Sequence, residues 1–359
     1  MAGACPARGR DIPRSDMHPF LSGLSAALPR TGLWEAPAIV AVSGGADSVA
    51  LLLGLVRVAP PQARLIVAHA CHDLRPEAVG DRDFVAGLAV RLGLTCESRP
   101  LAVRDDKEGR GEGLEARARR LRYGFFIAAA HGHGARHVIV GHTADDQAET
   151  ILHRALRGTG LAGLAGMRRS RGLADGVALL RPLLDLPRTL GREYLAAERE
   201  QWCEDATNDD RRYTRNFLRH ELLAPATRGP YPAAVAALTR LGRQAAVVSA
   251  ALASAAERLV EAHAERHADG RIVLDAAALA GLDRHLVAQV AVAVWEREGW
   301  PLCDMSARHY AAVAELVADV GSGTRPSRPA FDLPAGVRAA STAHGRVELR
   351  RELRAASGQ

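Results

Sequence analysis

Ser43-Gly44-Gly45-Ala46-Asp47-Ser48 follows the apolar run at 38–42 (AIVAV) and precedes a stretch, 47–58, that is apolar at helical spacing. Adjacent glycines let backbone N–H groups close on an anion. A helix starting there aims its positive end at the same point, and Ser43 and Ser48 add hydroxyl donors. That chemistry is a phosphate cradle. The Walker A spacing is absent and no lysine is near; GxGxxG is absent too. Asp47 is odd for a bare anion site, because a carboxylate beside phosphates points to a bridging Mg²⁺. A capped helix start is the plainer alternative.

A second group, Gly141-His142-Thr143-Ala144-Asp145-Asp146-Gln147-Ala148-Glu149-Thr150, follows another apolar run at 138–140. Asp146 and Glu149 are three apart and share a helical face; Asp145 stands at the helix start. Three carboxylates and a histidine there can hold Mg²⁺, bind a cationic amine or take a proton from it. The alternative is an acidic first turn that answers the helix dipole.

Three basic segments accompany these groups. Glu115, Arg119 and Arg122 lie close to one helical stripe that can aim an arginine at a ligand, whereas Arg117 and Arg120 suit a solvated face. Arg154 and Arg157, with Arg168 and Arg169, bracket a glycine-rich stretch able to wrap a polyanion. Arg211, Arg212, Arg215 and Arg219 surround Tyr213 and Phe217, a mix suited to phosphate contact with base stacking.

The elements that must carry these residues alternate. Strands are expected at 38–42, 65–70, 94–100 and 138–140, with helices at 47–58, 78–92, 114–130 and 144–156 between and after them. Alternation of this kind implies βαβ units around a parallel sheet, with ligands at the carboxyl ends of its strands. Residues 158–176 read as a loop, 179–184 as a return to the sheet, 189–198 as a helix, and 213–223 as a helix ended before Pro225. Residues 1–36 read as a mobile leader with a short amphipathic piece. A boundary is expected at 225–232 (PATRGPYP), followed by a long alanine-rich helix over 233–267. The fold class is thus α/β, a Rossmann-like catalytic domain over 37–225, with a smaller, mainly helical α+β domain over 226–359.

Composition narrows the class. The chain has 359 residues, 48% hydrophobic and 25% charged, enough for a large core. No secretory h-region or membrane-length apolar run stands out, so a cytoplasmic protein is expected, with no membrane partner. The five cysteines form no CxxC pair, which argues against a zinc ribbon, an iron–sulfur cluster or a disulfide framework. The net charge is +6, and every basic residue but Lys107 is arginine. The arginine excess between Arg154 and Arg192 suits a phosphate-bearing partner.

Together these segments resemble the tRNA(Ile)-lysidine synthase family within the N-type ATP pyrophosphatases, densely over 37–224. SGGADS resembles the family's pyrophosphatase loop, and LEARARRLRY its active-site arginine segment, which maps to Arg122. HTADDQAETILHRALRGTGLAGLAGM, RPLL and WCEDATNDDRRYTRNFLR follow in the family's order. His72-Asp73-Leu74-Arg75 resembles its HGLR segment, with Asp73 in place of glycine. FDLPAG resembles part of the substrate-binding domain, and the further terminal domain of longer members is expected to be absent.

The resemblance implies that ATP adenylates C2 of the wobble cytidine in an isoleucine tRNA with a CAU anticodon, and that free lysine then displaces AMP. Ser43, Gly44, Gly45, Ala46, Asp47 and Ser48 would hold the nucleotide, with Asp47 placing Mg²⁺. Asp146, Glu149 and Arg122 would hold lysine, with His142 and Asp145 beside them. Arg157, Arg212, Arg215 and Arg219 would meet tRNA. A tRNA thiolase on the same loop is the nearest alternative, and a homodimer is left open.

Overall fold

The run at 38–42 becomes a strand because its residues are β-branched or small and both of its faces are covered. Val40 packs with one helical layer and Ile39 with the other, the period-two alternation of a strand buried on both sides. The computed structural model describes residues 17–72, 78–106, 111–204, 214–302, 304–342 and 344–352.

In chain order the first elements are α1 (Pro19–Ala27), β1 (Ala38–Ala41), α2 (Ala46–Val58), β2 (Leu65–His72), α3 (Ala78–Arg91) and β3 (Thr95–Leu101). Next come α4 (Leu114–His133), β4 (His137–Ile139), α5 (Ala144–Leu156), α6 (Leu161–Leu164), β5 (Ser170–Ala174), β6 (Val177–Leu180) and α7 (Arg188–Ala197). Among the described residues their strands form one sheet in the order β3-β2-β1-β4-β6-β5. It is parallel except for β5, which pairs antiparallel with β6. Phe20, Leu51, Leu88 and Tyr194 fill one face of this sheet, and Phe125, Phe126 and Leu179 the other.

Beyond these lie α8 (Thr214–Phe217), a π-helical turn (Leu218–Leu223), α9 (Ala224–Arg228) and α10 (Ala234–His263). The remainder is β7 (Ala264–Arg266), β8 (Ile272–Asp275), α11 (Ala276–Leu279), α12 (Arg284–Arg297), α13 (Ala307–Gly321), β9 (Ala330–Leu333), β10 (Val337–Thr342) and β11 (Arg346–Arg351). Its strands form an antiparallel sheet, β7-β8-β11-β10-β9, with a separate core around Trp295, Val313 and Leu349.

Several local expectations are corrected. Residues 158–176 hold α6 and β5 as well as loop. Part of the expected leader is α1, whose Phe20 and Leu24 are at most 1% exposed. The helix docks because Gly54 carries no side chain: a Cβ there would stand 2.6 Å from Leu24 Cδ2. The helix at 213–223 does not stop before Pro225: the chain passes through a π-helical turn at Leu218–Leu223 directly into α9, which holds Pro225. The long helix ends at His263, where β7 begins. The chain groups into two compact units, one running to Gly242 without 160–162 and one made of Gly160–Ala162 and the residues from Arg243 on.

Candidate active site

β1 pairs with β2 on one side and β4 on the other. The connections on its two sides therefore leave the sheet in opposite directions, and a crevice opens beyond the carboxyl ends of β1 and β4. The two sequence motifs occupy those ends. They share a cleft of about 760 Å³, lined by Ser43, Gly45, Asp47 and Ser48 from the first and Gly141, His142 and Asp146 from the second. The motifs touch through backbone. A Cβ on Gly141 would lie 3.0 Å from the Asp47 carbonyl oxygen and 3.2 Å from Ser48 Cα.

The first loop is braced by its own hydroxyls. Ser48 Oγ donates to the Gly45 carbonyl at 2.9 Å and accepts from the Ser43 N–H at 3.1 Å. Gly44 has φ +97° and lies under Cys203, whose N–H donates to the Gly44 carbonyl at 2.9 Å. No side chain caps α2; the Ser48 and Val49 N–H groups turn back to the Gly45 carbonyl, and those of Ala46 and Asp47 are left for an anion. From β2, His69 donates Nδ1–H to the Val42 carbonyl at 2.8 Å. Burial pushes its pKa down, so the ring is neutral at pH 7.

The carboxylates are gathered by one arginine. Arg188 Nε reaches Asp47 Oδ2 at 2.9 Å, its Nη2 reaches Asp146 Oδ1 at 3.1 Å, and its backbone N–H donates to Asp145 Oδ2 at 2.8 Å. Asp146 Oδ2 also accepts from the Thr143 N–H and hydroxyl, at 2.8 and 3.0 Å. Burial acts to raise the Asp146 pKa. Arg188, the Thr143 N–H, His142 and Arg219 outweigh it and hold the carboxyl below its usual range. At Asp47 burial prevails over Arg188 and the pKa rises. Asp47 Oδ1 is buried without a partner among the described residues.

Glu149, 2% exposed, stands behind Arg219, whose Nε and Nη2 reach its two oxygens at 2.6 and 3.2 Å. Burial raises its pKa against the pull of Arg219. The expectation that Asp146 and Glu149 jointly face an amine is thus modified: Asp146 lines the cleft, and Glu149 fixes an arginine. Arg219, expected to meet RNA phosphate, is committed to this ion pair.

A cationic wall stands opposite. Arg122, Tyr123 and Arg215 line the cleft beside His142. Arg181, 3% exposed, donates Nη1–H to the Arg168 carbonyl at 2.7 Å and Nε–H to His142 Nδ1 at 3.3 Å. His142 must then be neutral, with its proton on Nε2. Burial, then Arg181, Arg215 and Arg122, bring its pKa down to about 4 against the field of Asp146.

The unfolded chain consequently binds this proton more tightly than the folded one. Folding stability should fall as pH drops from about 6.5 toward 4, by up to about 1.4 kcal/mol per unit. Denaturant midpoints measured across that interval should show the slope, and His142→Asn should reduce it.

Other expected residues lie elsewhere. Arg157 caps the far end of α5 and is absent from the cleft. Arg154 pins the glycine-rich stretch, donating to the carbonyls of Gly163 and Gly166 at 3.0 and 2.8 Å. Gln147 fastens the same stretch through the Met167 N–H at 2.8 Å. Arg211, Arg212 and Tyr213, and Asp73 to Arg75 of the HGLR-like segment, lie outside the described residues. Arg188 was not anticipated. Its signal was present, since it is a cation in the first turn of α7 after Pro187, where the helix dipole disfavours positive charge unless an anion is near.

A sequence profile for the PP-loop domain matches residues 31–226. The chain is 44% identical over 221 residues to a tRNA(Ile)-lysidine synthase of Thermus thermophilus, covering 62% of this chain and 41% of that one. The chain thus spans about two-fifths of that relative's length. The tRNA(Ile)-lysidine synthase of Rhodopirellula baltica is 33% identical over 315 residues, covering 78% of this chain and 79% of its own. Among solved structures, the U34-tRNA thiolase NcsA of Methanococcus maripaludis shares the fold at TM-score 0.52 and 13% identity, over 63% of this chain and 77% of that one. On the matched PP-loop profile, and on relatives aligned along most of their own length, this chain belongs to the tRNA(Ile)-lysidine synthase family.

Proposed function

We propose that the protein ligates free lysine to C2 of the wobble cytidine in an isoleucine tRNA with a CAU anticodon, at the expense of ATP. In the first step the cytidine attacks the α-phosphorus of ATP, pyrophosphate leaves, and C2 is adenylated. In the second the lysine amine attacks C2, the bond to the adenylate breaks, AMP leaves and the amine gives up a proton. The observation that carries this reading is the contact between the two loops. Gly141 lies against the backbone of Asp47 and Ser48, so a phosphate-binding turn and a carboxylate turn open on one cleft.

Each group has a physical role in that reaction. The N-terminus of α2, with the Ser43 hydroxyl, receives the leaving pyrophosphate, while Ser48 braces the loop. Asp47 would hold Mg²⁺: a buried, unpartnered carboxylate oxygen is the hard donor such an ion takes. When bound, the ion would neutralise phosphate charge. Asp146, kept ionised by its neighbours, faces the lysine amine and can accept its proton. Arg122 and Arg215 make no ion pair among the described residues, and are available to an anionic group of substrate. Neutral His142 offers an Nε2–H donor at the same wall.

The test is AMP release by purified protein with ATP and tRNA, with and without lysine. AMP and a lysine-modified tRNA formed only with lysine support the reading; dependence on a sulfur donor instead would overturn it. Asp146→Asn should raise the lysine KM at least about tenfold, the loss of a charge-assisted hydrogen bond worth roughly 1.5–3 kcal/mol. Binding of tRNA should stay within about twofold, and an unchanged lysine KM would remove Asp146 from the role.

A further inference from the structure

Tyr123 on α4 has an unusual set of neighbours. The guanidinium carbons of Arg119, Arg171 and Arg122 stand 5.0, 5.2 and 5.9 Å from its ring centroid. Arg119 comes from the preceding turn of the same helix, and Arg171 from β5, the antiparallel edge strand of the sheet. Neither Arg119 nor Arg171 makes an ion pair among the described residues. Arg171 spends one donor on the Gly172 carbonyl, at 3.1 Å. Glu115, one helical turn before Arg119, makes no ion pair with it.

Guanidinium groups repel one another. The negative ring face offsets part of that repulsion. The field is felt at the ring itself. Burial acts to raise the Tyr123 pKa, yet Arg119, Arg181, Arg122 and a hydrogen bond from Arg171 bring it below the ordinary phenol value. Tyr123 lines the cleft, while Arg119 and Arg171 lie at its side and leave the interior to Arg122 and Arg215.

We infer that Arg119 and Arg171, stacked on Tyr123, form a phosphate grip that takes a backbone phosphodiester of the RNA next to the nucleotide entering the cleft. The inference rests on the proposed tRNA substrate. Planar guanidinium forks match phosphate oxygens bidentately. The ring fixes their orientation beforehand, so less side-chain freedom is lost on binding. The position fits as well, because the cradle at 43–48 already serves the triphosphate at the other loop. A phosphate of ATP is the competing source of the same chemistry.

The experiment measures equilibrium binding of CAU-anticodon isoleucine tRNA to the full chain over 50–300 mM salt, without ATP or lysine, and ATP binding separately. The double variant R119A/R171A should raise the tRNA Kd about tenfold near 150 mM salt and flatten the slope of log K against log salt by about one to two. ATP affinity should be unchanged. R119K/R171K, which keeps the charge but loses the fork, should retain most of the slope. An unchanged Kd and slope in R119A/R171A would overturn the inference, and so would weakened ATP binding with tRNA binding intact. The two readings fail separately. Lysine-independent chemistry would remove the proposed reaction, whereas an unaltered salt slope would remove only the grip.

Discussion

Replacement of Gly141 by alanine is expected to slow pyrophosphate release about tenfold. A displacement of about 1 Å at a reacting centre costs about a hundredfold, and the shift this methyl forces is a smaller one. The added methyl would lie 3.0 Å from the Asp47 carbonyl oxygen and 3.2 Å from Ser48 Cα, tighter than ordinary van der Waals contact. The obstructing atoms are backbone at the start of α2 and cannot rotate aside. The helix start must move, and with it the N–H groups that receive the phosphate. Overpacking should cost about 1–3 kcal/mol of stability. Pyrophosphate release and thermal unfolding check both. A variant with the wild-type rate would mean that the two loops do not meet in the working molecule.

Arg188→Met should have a comparable effect for an electrostatic reason. The substitution keeps the length of the side chain and the backbone N–H that Asp145 accepts, and removes only the guanidinium. Asp47 and Asp146 then face each other without the cation between them. Stability should fall by about 2–4 kcal/mol, at the lower end of what breaking a buried pair costs, because these side chains keep some exposure. Pyrophosphate release should fall about tenfold or more.

The acid response gives a second readout. In the wild type the Asp146 pKa is held down, so its contribution to stability is present above the unfolded carboxylate pKa and is lost as pH falls through the folded value. Without Arg188 the folded pKa rises, and the loss should begin at a higher pH. Arg188→Lys should recover part of the stability, since one ammonium can meet either carboxylate but not fork across both. An acid-unfolding midpoint identical to wild type in Arg188→Met would show that the guanidinium does not set the charge of Asp146.

Residues 38–42 and 138–140 were legible because a strand buried on both faces demands a continuous apolar run, and the glycine-hydroxyl and acidic turns were legible because they begin where such runs end. The edge pairing of β5 with β6 was not, since Ser170–Ala174 is glycine- and arginine-bearing and gains its conformation from a partner. Helix α1 was missed for a similar reason. Its burial depends on the missing side chain of Gly54, at a distance along the chain. The sequence read Arg219 as part of a basic patch with Arg211, Arg212 and Arg215, but the π-helical turn at 218–223 places it on Glu149, 70 residues earlier.

By itself the sequence determined which groups stand at strand ends and helix starts, because glycines, hydroxyls and acidic first turns act on backbone within a few residues of themselves. Only the tertiary structure decided which charges meet. Arg188 is 141 residues from Asp47 and 42 from Asp146, and pairing at such separations follows from strand order and the close approach at Gly141. The same physics set Glu149 against Arg219, since a deeply buried carboxylate takes the nearest fork that can satisfy both of its oxygens.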